Sequence, residues 1–295
     1  MERRQGNSLI LVLGFGLMLL LFGFMLLHFM GQWGLKGLEE ARFRQLRTLV
    51  YGVAGDLSAA GEESFTEEET VSLYPGPVQA RVRKTGSCSS GGSMQLRSVQ
   101  AEVSCGDKVV RLQQDIFAPN EALRTRAEQY GLTVAGSISK PNNVKGAPYY
   151  AGINFNWPTG GFDPTGFLPL DGAAMEEIRH YGFAGRMYYV KNNLTFSTGT
   201  YYGDACIFVD GNVTISTNSK FLGRIVLVVR NGSLTINSGT EMRDVLGLVN
   251  GAVTIGGNCQ LTGHLRNRMN LTMNGSATFT LKEGAGREFR TGFYN

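Results

Sequence analysis

NLTFSTGTYYG (193–203), NVTISTNSKFLG (212–223), SLTINSGTEMRD (233–244), AVTIGGNCQLTG (252–263) and NLTMNGSATFTL (270–281) are five versions of one unit. Each holds a hydrophobic-Thr-hydrophobic core, beginning at Leu194, Val213, Leu234, Val253 and Leu271, with steps of 19, 21, 19 and 18 residues. Second apolar runs lie between them, as in CIFVDG (206–211), IVLVVRNG (225–232) and LGLVNG (246–251). Two or three strands of that size, separated by Gly, Asn and Ser corners, bury nothing alone; stacked, they bury a continuous core.

A period near 19 fits one coil of a β-solenoid, in which successive coils hydrogen-bond at about 4.8 Å and like residues form columns. Five such coils make a rod of about 24 Å. In each V-T-I-like core the apolar residues point inward and the threonines form an outward ladder. Asn and Gly suit the corners, where φ turns positive. The glycosylation sequons at Asn193, Asn212, Asn231, Asn270 and Asn274 recur because the repeat recurs, and are read as structural.

Solenoids host polysaccharide lyases, so a catalytic site has to be considered. Such a site gathers acids and bases on one face of neighbouring coils. Asp204, Arg224, Asp244 and His264 recur twenty residues apart, but alternating charge along one corner reads as an ion-pair ladder. There is no HExxH, GxSxG or phosphate loop, and the chain has only three histidines. The expectation is a protein that is not an enzyme and needs no cofactor or metal. Cys206 and Cys259 fall within the repeats and read as small buried side chains.

Upstream, residues 119–185 form a connector. NEALRTRAEQY (120–130) reads as a short helix capped by Asn120, and Ala173–Tyr181 as another capped by Asp171. Between them, residues 140–172 show little periodicity. Their Tyr149, Tyr150, Phe155, Trp157, Phe162 and Phe167 are read as covering one end of the solenoid, with an aromatic carbohydrate surface as the alternative.

Residues 59–118 read as a small antiparallel sheet. PVQARVRKTG, QLRSVQAEVSC and KVVRLQQDIFAP alternate apolar and polar residues. Glu62, Glu63 and Glu67 to Glu69 are expected in a solvated acidic loop. Cys88 and Cys105 could pair across their short loop, or a simple meander could hold them at opposite ends of a strand.

Ser8 to Met30 is 23 residues without charge, with only His28 ionisable, enough at 1.5 Å per residue to cross a bilayer core of about 30 Å. Arg3 and Arg4 precede it, which puts the N-terminus in the cytoplasm and the rest outside. A secretory signal has a shorter core and a cleavage site. Here the apolar run continues into residues 31–60, where Leu46, Leu49, Val50, Val53 and Leu57 recur at helical spacing. One long helix over 7–58, membrane-spanning over 8–30, is predicted.

These residues resemble the N-terminus of type IV pilins and pilin-like proteins. The resemblance implies a leader, residues 1–6, cut by a prepilin peptidase between Gly6 and Asn7, then Ser8, Leu9 and Ile10 opening the filament helix. Where most pilins carry glutamate, this chain has Leu11, a departure similar to PilX-type minor pilins and some tip pseudopilins. The solenoid, 186–283, resembles bactofilin-like polymer-forming domains, with 284–295 as a cap or tail.

The resulting expectation is an α+β pilin-like part, a long N-terminal helix plus antiparallel sheet, followed by an all-β solenoid of about five coils. The resemblance implies a minor subunit of a type IV pilus or related filament, with other pilins, pilus-assembly proteins and the bacterial inner membrane as partners. The head would serve assembly, adhesion or ligand binding. The alternative is DNA binding during uptake. Residues 186–295 carry 11 Lys/Arg against 6 Asp/Glu, whereas 7–185 carry 15 against 17. Arg224, Arg230, Arg243, Arg266 and Arg268 are the candidate phosphate contacts.

Overall fold

The computed structural model describes residues 3–57, 64–73, 78–91, 94–119, 132–146, 149–151, 164–281 and 289–291. Helix α1 (Arg3–Leu57) is one unbroken α-helix of 55 residues. Its two halves meet different surroundings. The large apolar side chains from Phe15 to Trp33 are exposed, whereas Leu46, Val50 and Val53 are buried. Spacings of four and three put those three on one stripe, each contributing roughly 1.5–3 kcal/mol on burial. This is the one helix, among the described residues, long and apolar enough to cross a membrane.

The stripe packs on an antiparallel meander: β1 (Phe65–Leu73), β2 (Val78–Gly91), β3 (Met94–Cys105) and β4 (Lys108–Pro119). Gly106, at φ 62°, opens the two-residue turn between Cys105 and Lys108, a conformation only glycine adopts without strain. Glu67 to Glu69, expected in a loop, lie on edge strand β1 opposite Lys84, Arg83 and Val82. Glu68 and Glu69 pair with Arg83 and Lys84 at 3.5 and 2.9 Å. Cross-strand cations thus draw the acidic run into the ladder; Glu62 and Glu63 lie outside the described residues.

The meander also decides the cysteines. Cys88 stands opposite Arg97 of β3, so Cys105 is eight residues further along, about 27 Å at 3.4 Å per residue. Both thiols are free.

The connector contributes β5 (Leu132–Val134), β6 (Val144–Lys145), β7 (Tyr149–Ala151), β8 (Leu168–Pro169) and helix α2 (Gly172–Tyr181). Asp171 caps α2 by accepting from the Ala174 N–H at 2.9 Å, satisfying an otherwise orphaned donor. Residues 120–130, expected as a helix, lie outside the described residues.

The repeats then run as β9 (Arg186–Val190), β10 (Leu194–Phe196), β11 (Thr200–Tyr201), β12 (Ala205–Val209), β13 (Val213–Ile215) and β14 (Lys220–Val229). They continue as β15 (Leu234–Ile236), β16 (Glu241–Val249), β17 (Val253–Ile255), β18 (Gln260–Asn267), β19 (Leu271–Met273) and β20 (Thr278–Leu281). All pair in parallel. β10, β13, β15, β17 and β19 form one sheet in which Leu194, Val213, Leu234, Val253 and Leu271 stand in direct register. The corner after them holds Asn218, Gly239 and Asn258 at φ 56°, 75° and 59°, the residue types that tolerate the left-handed region.

The solenoid has six turns, not five, and the additional turn comes from upstream of the repeat. β5 pairs with β18, Ile138 bridges to Leu271, and β6 pairs with β20. Residues 132–145 therefore trace a coil on top of the last repeat, and β7 adds to β5 beyond it. At the other end β8 covers β9. The segment with no readable period supplies both end covers, which blunt the exposed strand edges of the stack.

The tail expected to cap the solenoid does something else. β21 (Phe289–Arg290) returns to pair with Phe117 and Ile116 of β4. The solenoid is thus inserted between two neighbouring strands of the first sheet. A shared core joins the two parts: Phe117 and Phe289 meet Met187, Cys206, Phe208, Val226, Val228, Leu246 and Leu248, with Phe117 edge-on to Phe208 at 5.2 Å. Phe167 packs on Phe208 at 5.3 Å, so this aromatic seals the junction. Tyr149 and Tyr150 lie in β7; Phe155, Trp157 and Phe162 lie outside the described residues.

Candidate functional site

Each coil has three straight runs, and the outward side of each run has its own chemistry. The first, as in β12, is apolar on both sides: Ile207 and Val209 face the solenoid core, and Cys206 and Phe208 face the first sheet. Such runs read as continuous apolar stretches because both faces are covered. This face is occupied.

The corner that follows it carries one residue per coil: Asp210, Arg230, Asn250 and Arg268. Arg230 donates to both Asp210 carboxylate oxygens at 2.6 Å, and the Tyr189 hydroxyl donates to Oδ2 at 2.7 Å. Asn250 donates to the Arg230 carbonyl at 2.7 Å, and Arg268 reaches Asn250 Oδ1 at 3.4 Å. The Arg230 and Asp210 side chains are only 19% and 15% exposed. Arg230, aided by Tyr189, holds the Asp210 carboxyl below the usual carboxylate range, against the effect of its burial.

The five candidate arginines are not gathered on one face. Arg230 is spent on Asp210, and Arg243 lies on Glu241 at 2.8 Å. Arg224 sits between Asp204, which accepts its backbone N–H at 2.7 Å, and its register partner Asp244. Arg266 is 3% exposed, beside Leu248 on the covered face. Arg268 remains at the Asn250 corner. Acid partners on Arg230 and Arg243 and the burial of Arg266 thus leave these arginines without a shared exposed basic face.

Of the expected ladder Asp204, Arg224, Asp244 and His264, the first three share one column, with Asp204 accepting the Arg224 backbone N–H and Arg224 in register with Asp244. A register shift between Met242 and Val245 sets His264 opposite Leu246, and His264 is buried. Past the shift the step from β16 to β18 is 18 residues, against 20 from Arg224 to Asp244, so His264 lies two residues further along the run, level with Leu246, which packs toward the first sheet.

The third run, from β11 through β20, carries Thr200, Lys220, Glu241, Gln260 and Thr278 in one rank, and the second, β10 through β19, presents Thr195, Thr214, Thr235, Thr254 and Thr272 in direct register. Their apolar neighbours are buried, while the threonines are exposed or half-exposed. Beside them runs a side-chain ladder along the sequon asparagines. Asn193 Oδ1 accepts from the Asn212 N–H at 2.8 Å, Asn212 Oδ1 from Ser233 at 2.9 Å, and Ser233 Oγ from Ala252 at 3.3 Å. Asn270 Oδ1 accepts from Ser137 of the sixth coil at 3.0 Å. Asn193, Asn212 and Asn270 thus each tie one coil to the next, and Ser233 takes the same role in the column.

Cys206 and Cys259 are buried, and burial pushes both thiols above the ordinary cysteine range. Cys259 shares a corner column with Ser219 and Thr240, and its Sγ lies 3.1 Å from the Asn237 carbonyl. Gly6, Asn7, Ser8, Leu9, Ile10 and Leu11 lie on the backbone of α1. Among the described residues, no three His, Cys, Asp or Glu side chains gather to hold a metal.

Comparison with known protein families, curated proteins and solved structures found no match.

Proposed function

We propose that this chain is a non-enzymatic, pilin-like minor subunit of a type IV pilus or related filament. On this reading it is made as a single-pass inner-membrane precursor with its N-terminus in the cytoplasm, and carries its solenoid outside the membrane as a head. The observation that supports the reading is the division of α1. One unbroken helix exposes apolar side chains from Phe15 to Trp33 and buries Leu46, Val50 and Val53 beneath an antiparallel sheet. A helix of that kind can sit first in lipid and then among other helices, because its large apolar side chains from Phe15 to Trp33 are exposed rather than packed on the described chain.

The head is fixed rather than tethered. Both chain connections to the solenoid emerge from neighbouring strands, β4 and β21, and an apolar core joins solenoid to sheet. Leu11 in place of the usual pilin glutamate favours a subunit placed once, near a tip or in the assembly machinery. Mass spectrometry of the native N-terminus tests the reading. A mature start at Asn7 is expected, from cleavage after Gly6; an intact Met1, or a cut near residue 30, overturns it.

A further inference from the structure

The three outward faces of the solenoid differ in charge. The face of the first run is apolar and covered by the sheet. The corners around it carry Asp204, Asp210, Arg224, Arg230, Asp244 and Arg268. The threonine face and its two corners, residues 192–199, 211–219, 231–240, 250–260 and 269–280, contain no charged residue in any of the five repeats. The threonine face is exposed and polar yet uncharged across the repeats. Its neutrality through five coils therefore calls for a cause beyond stacking, because neighbouring columns of the same coils accept charge.

We propose that this face binds a neutral polyhydroxylated chain, a glycan without uronate or sulfate groups. The ranks of Thr195, Thr214, Thr235, Thr254 and Thr272 hydroxyls, flanked by the Asn and Ser ladder, supply donors and acceptors at the coil spacing. Six layers at about 4.8 Å and five residues at about 3.3 Å bound a plane of roughly 24 by 16 Å. That is about half the ~800 Å² per partner of a stable protein interface, which disfavours a second copy or a folded protein as the occupant. Across the five repeats the face has no cation; Lys140 and Lys145 of the sixth coil lie at its edge, Lys140 donating to the Gly275 carbonyl at 3.2 Å, and a face so sparsely charged disfavours nucleic acid and anionic lipid. Among the described residues of these segments, Met269, at a corner, is the one large apolar side chain that is exposed, too little apolar surface for an acyl chain. A linear, uncharged, hydrogen-bonding ligand matches its length, polarity and charge.

This inference rests on the head's role as a ligand-binding element, and its test is separable from the N-terminal cleavage that tests the filament reading. The full chain in detergent is passed over immobilised neutral glucans and mannans, with an immobilised acidic polyuronate as control. Retention on a neutral polymer is expected to persist in about 1 M salt, where the screening length is ~3 Å. A triple variant, Thr214→Val, Thr235→Val and Thr254→Val, keeps the β-branched columns but removes three hydroxyls. It is expected to bind at least about tenfold more weakly, or ~1.4 kcal/mol, with circular dichroism and thermal midpoint close to the parent. Thr195→Arg, on the terminal strand β10 of the rank, provides a second variant that leaves the central columns intact and should weaken retention by bulk. Retention on the polyuronate alone, elution by salt, undiminished binding by both variants, or no retention on any neutral polymer would each overturn the proposal.

Discussion

The five repeat-encoded coils and the sixth coil share one backbone path but not one sequence. In the repeats, each column has like residues: aliphatic cores in register, threonines outside, Asn or Gly at the turn. The sixth coil, residues 132–145, meets the stack through β5, a single bridge at Ile138 and the short β6. Its coil geometry comes largely from the template beneath it. Gly136 shows how close the fit is: a Cβ there would fall 2.9 Å from the Asn270 backbone nitrogen. A solenoid coil can thus be imposed by a neighbouring edge as well as encoded, because the edge offers a row of backbone partners that any compliant segment can take.

Mutations can break or sharpen this contrast. The largest effect is expected at Ile215→Ala, fully buried in the middle of the repeats. It should cost about 2–5 kcal/mol, read by denaturant unfolding of the full chain in detergent, and should lower the stability of the coils on both sides. Arg230→Ala comes next, at about 2 kcal/mol, because it strands a mostly buried Asp210.

The same pair has a pH signature. Asp210 has a folded pKa below its unfolded value, so its stabilisation is present above the unfolded value near 3.9 and is lost as pH falls through the lowered folded one. Parent and Arg230→Ala should therefore begin to converge in stability below about pH 4 and meet only below the lowered folded value, checked by acid titration of the thermal midpoint. Persistence of the full difference in strong acid would show that the effect is packing.

Asn212→Ala removes one rung between two repeat coils and should cost about 1 kcal/mol. Ile138→Ala, in the sixth coil and only partly buried, should change global unfolding by less than about 1 kcal/mol. It should, however, open residues 132–146 to limited proteolysis while the repeats stay protected. The smallest effect concerns DNA: with Arg230 and Arg243 paired and Arg266 buried, a salt titration should find no salt-dependent affinity for duplex DNA.

Local pattern carried much of the fold. Apolar spacing identified α1 and its stripe, alternation identified β2 to β4, and a period near 19 identified the solenoid and its outward threonines. The sixth coil was harder to see because Leu132-Thr133-Val134 resembles the repeat core yet pairs with Leu265-Arg266-Asn267 rather than with a threonine rank. Only Ser137-Ile138-Ser139, beside Asn270-Leu271-Thr272, preserves the column pattern. The acidic run at β1 was misplaced because charge alone does not distinguish a loop from an edge strand whose partner carries cations.

The amino-acid sequence by itself determined the periods: which residues form helix, sheet and coil, which side chains point inward, and that one segment can cross a membrane. Those follow from interactions within a few residues or between adjacent copies of one unit. The tertiary structure alone decided the sixth coil, the return of Phe289 to Phe117, the separation of Cys88 from Cys105, the displacement of His264 and the dispersal of the arginines among acid partners and buried positions. Each depends on how different strands meet and in which register. A shift of one residue there, or a partner more than a hundred positions away, leaves no periodic mark in the chain.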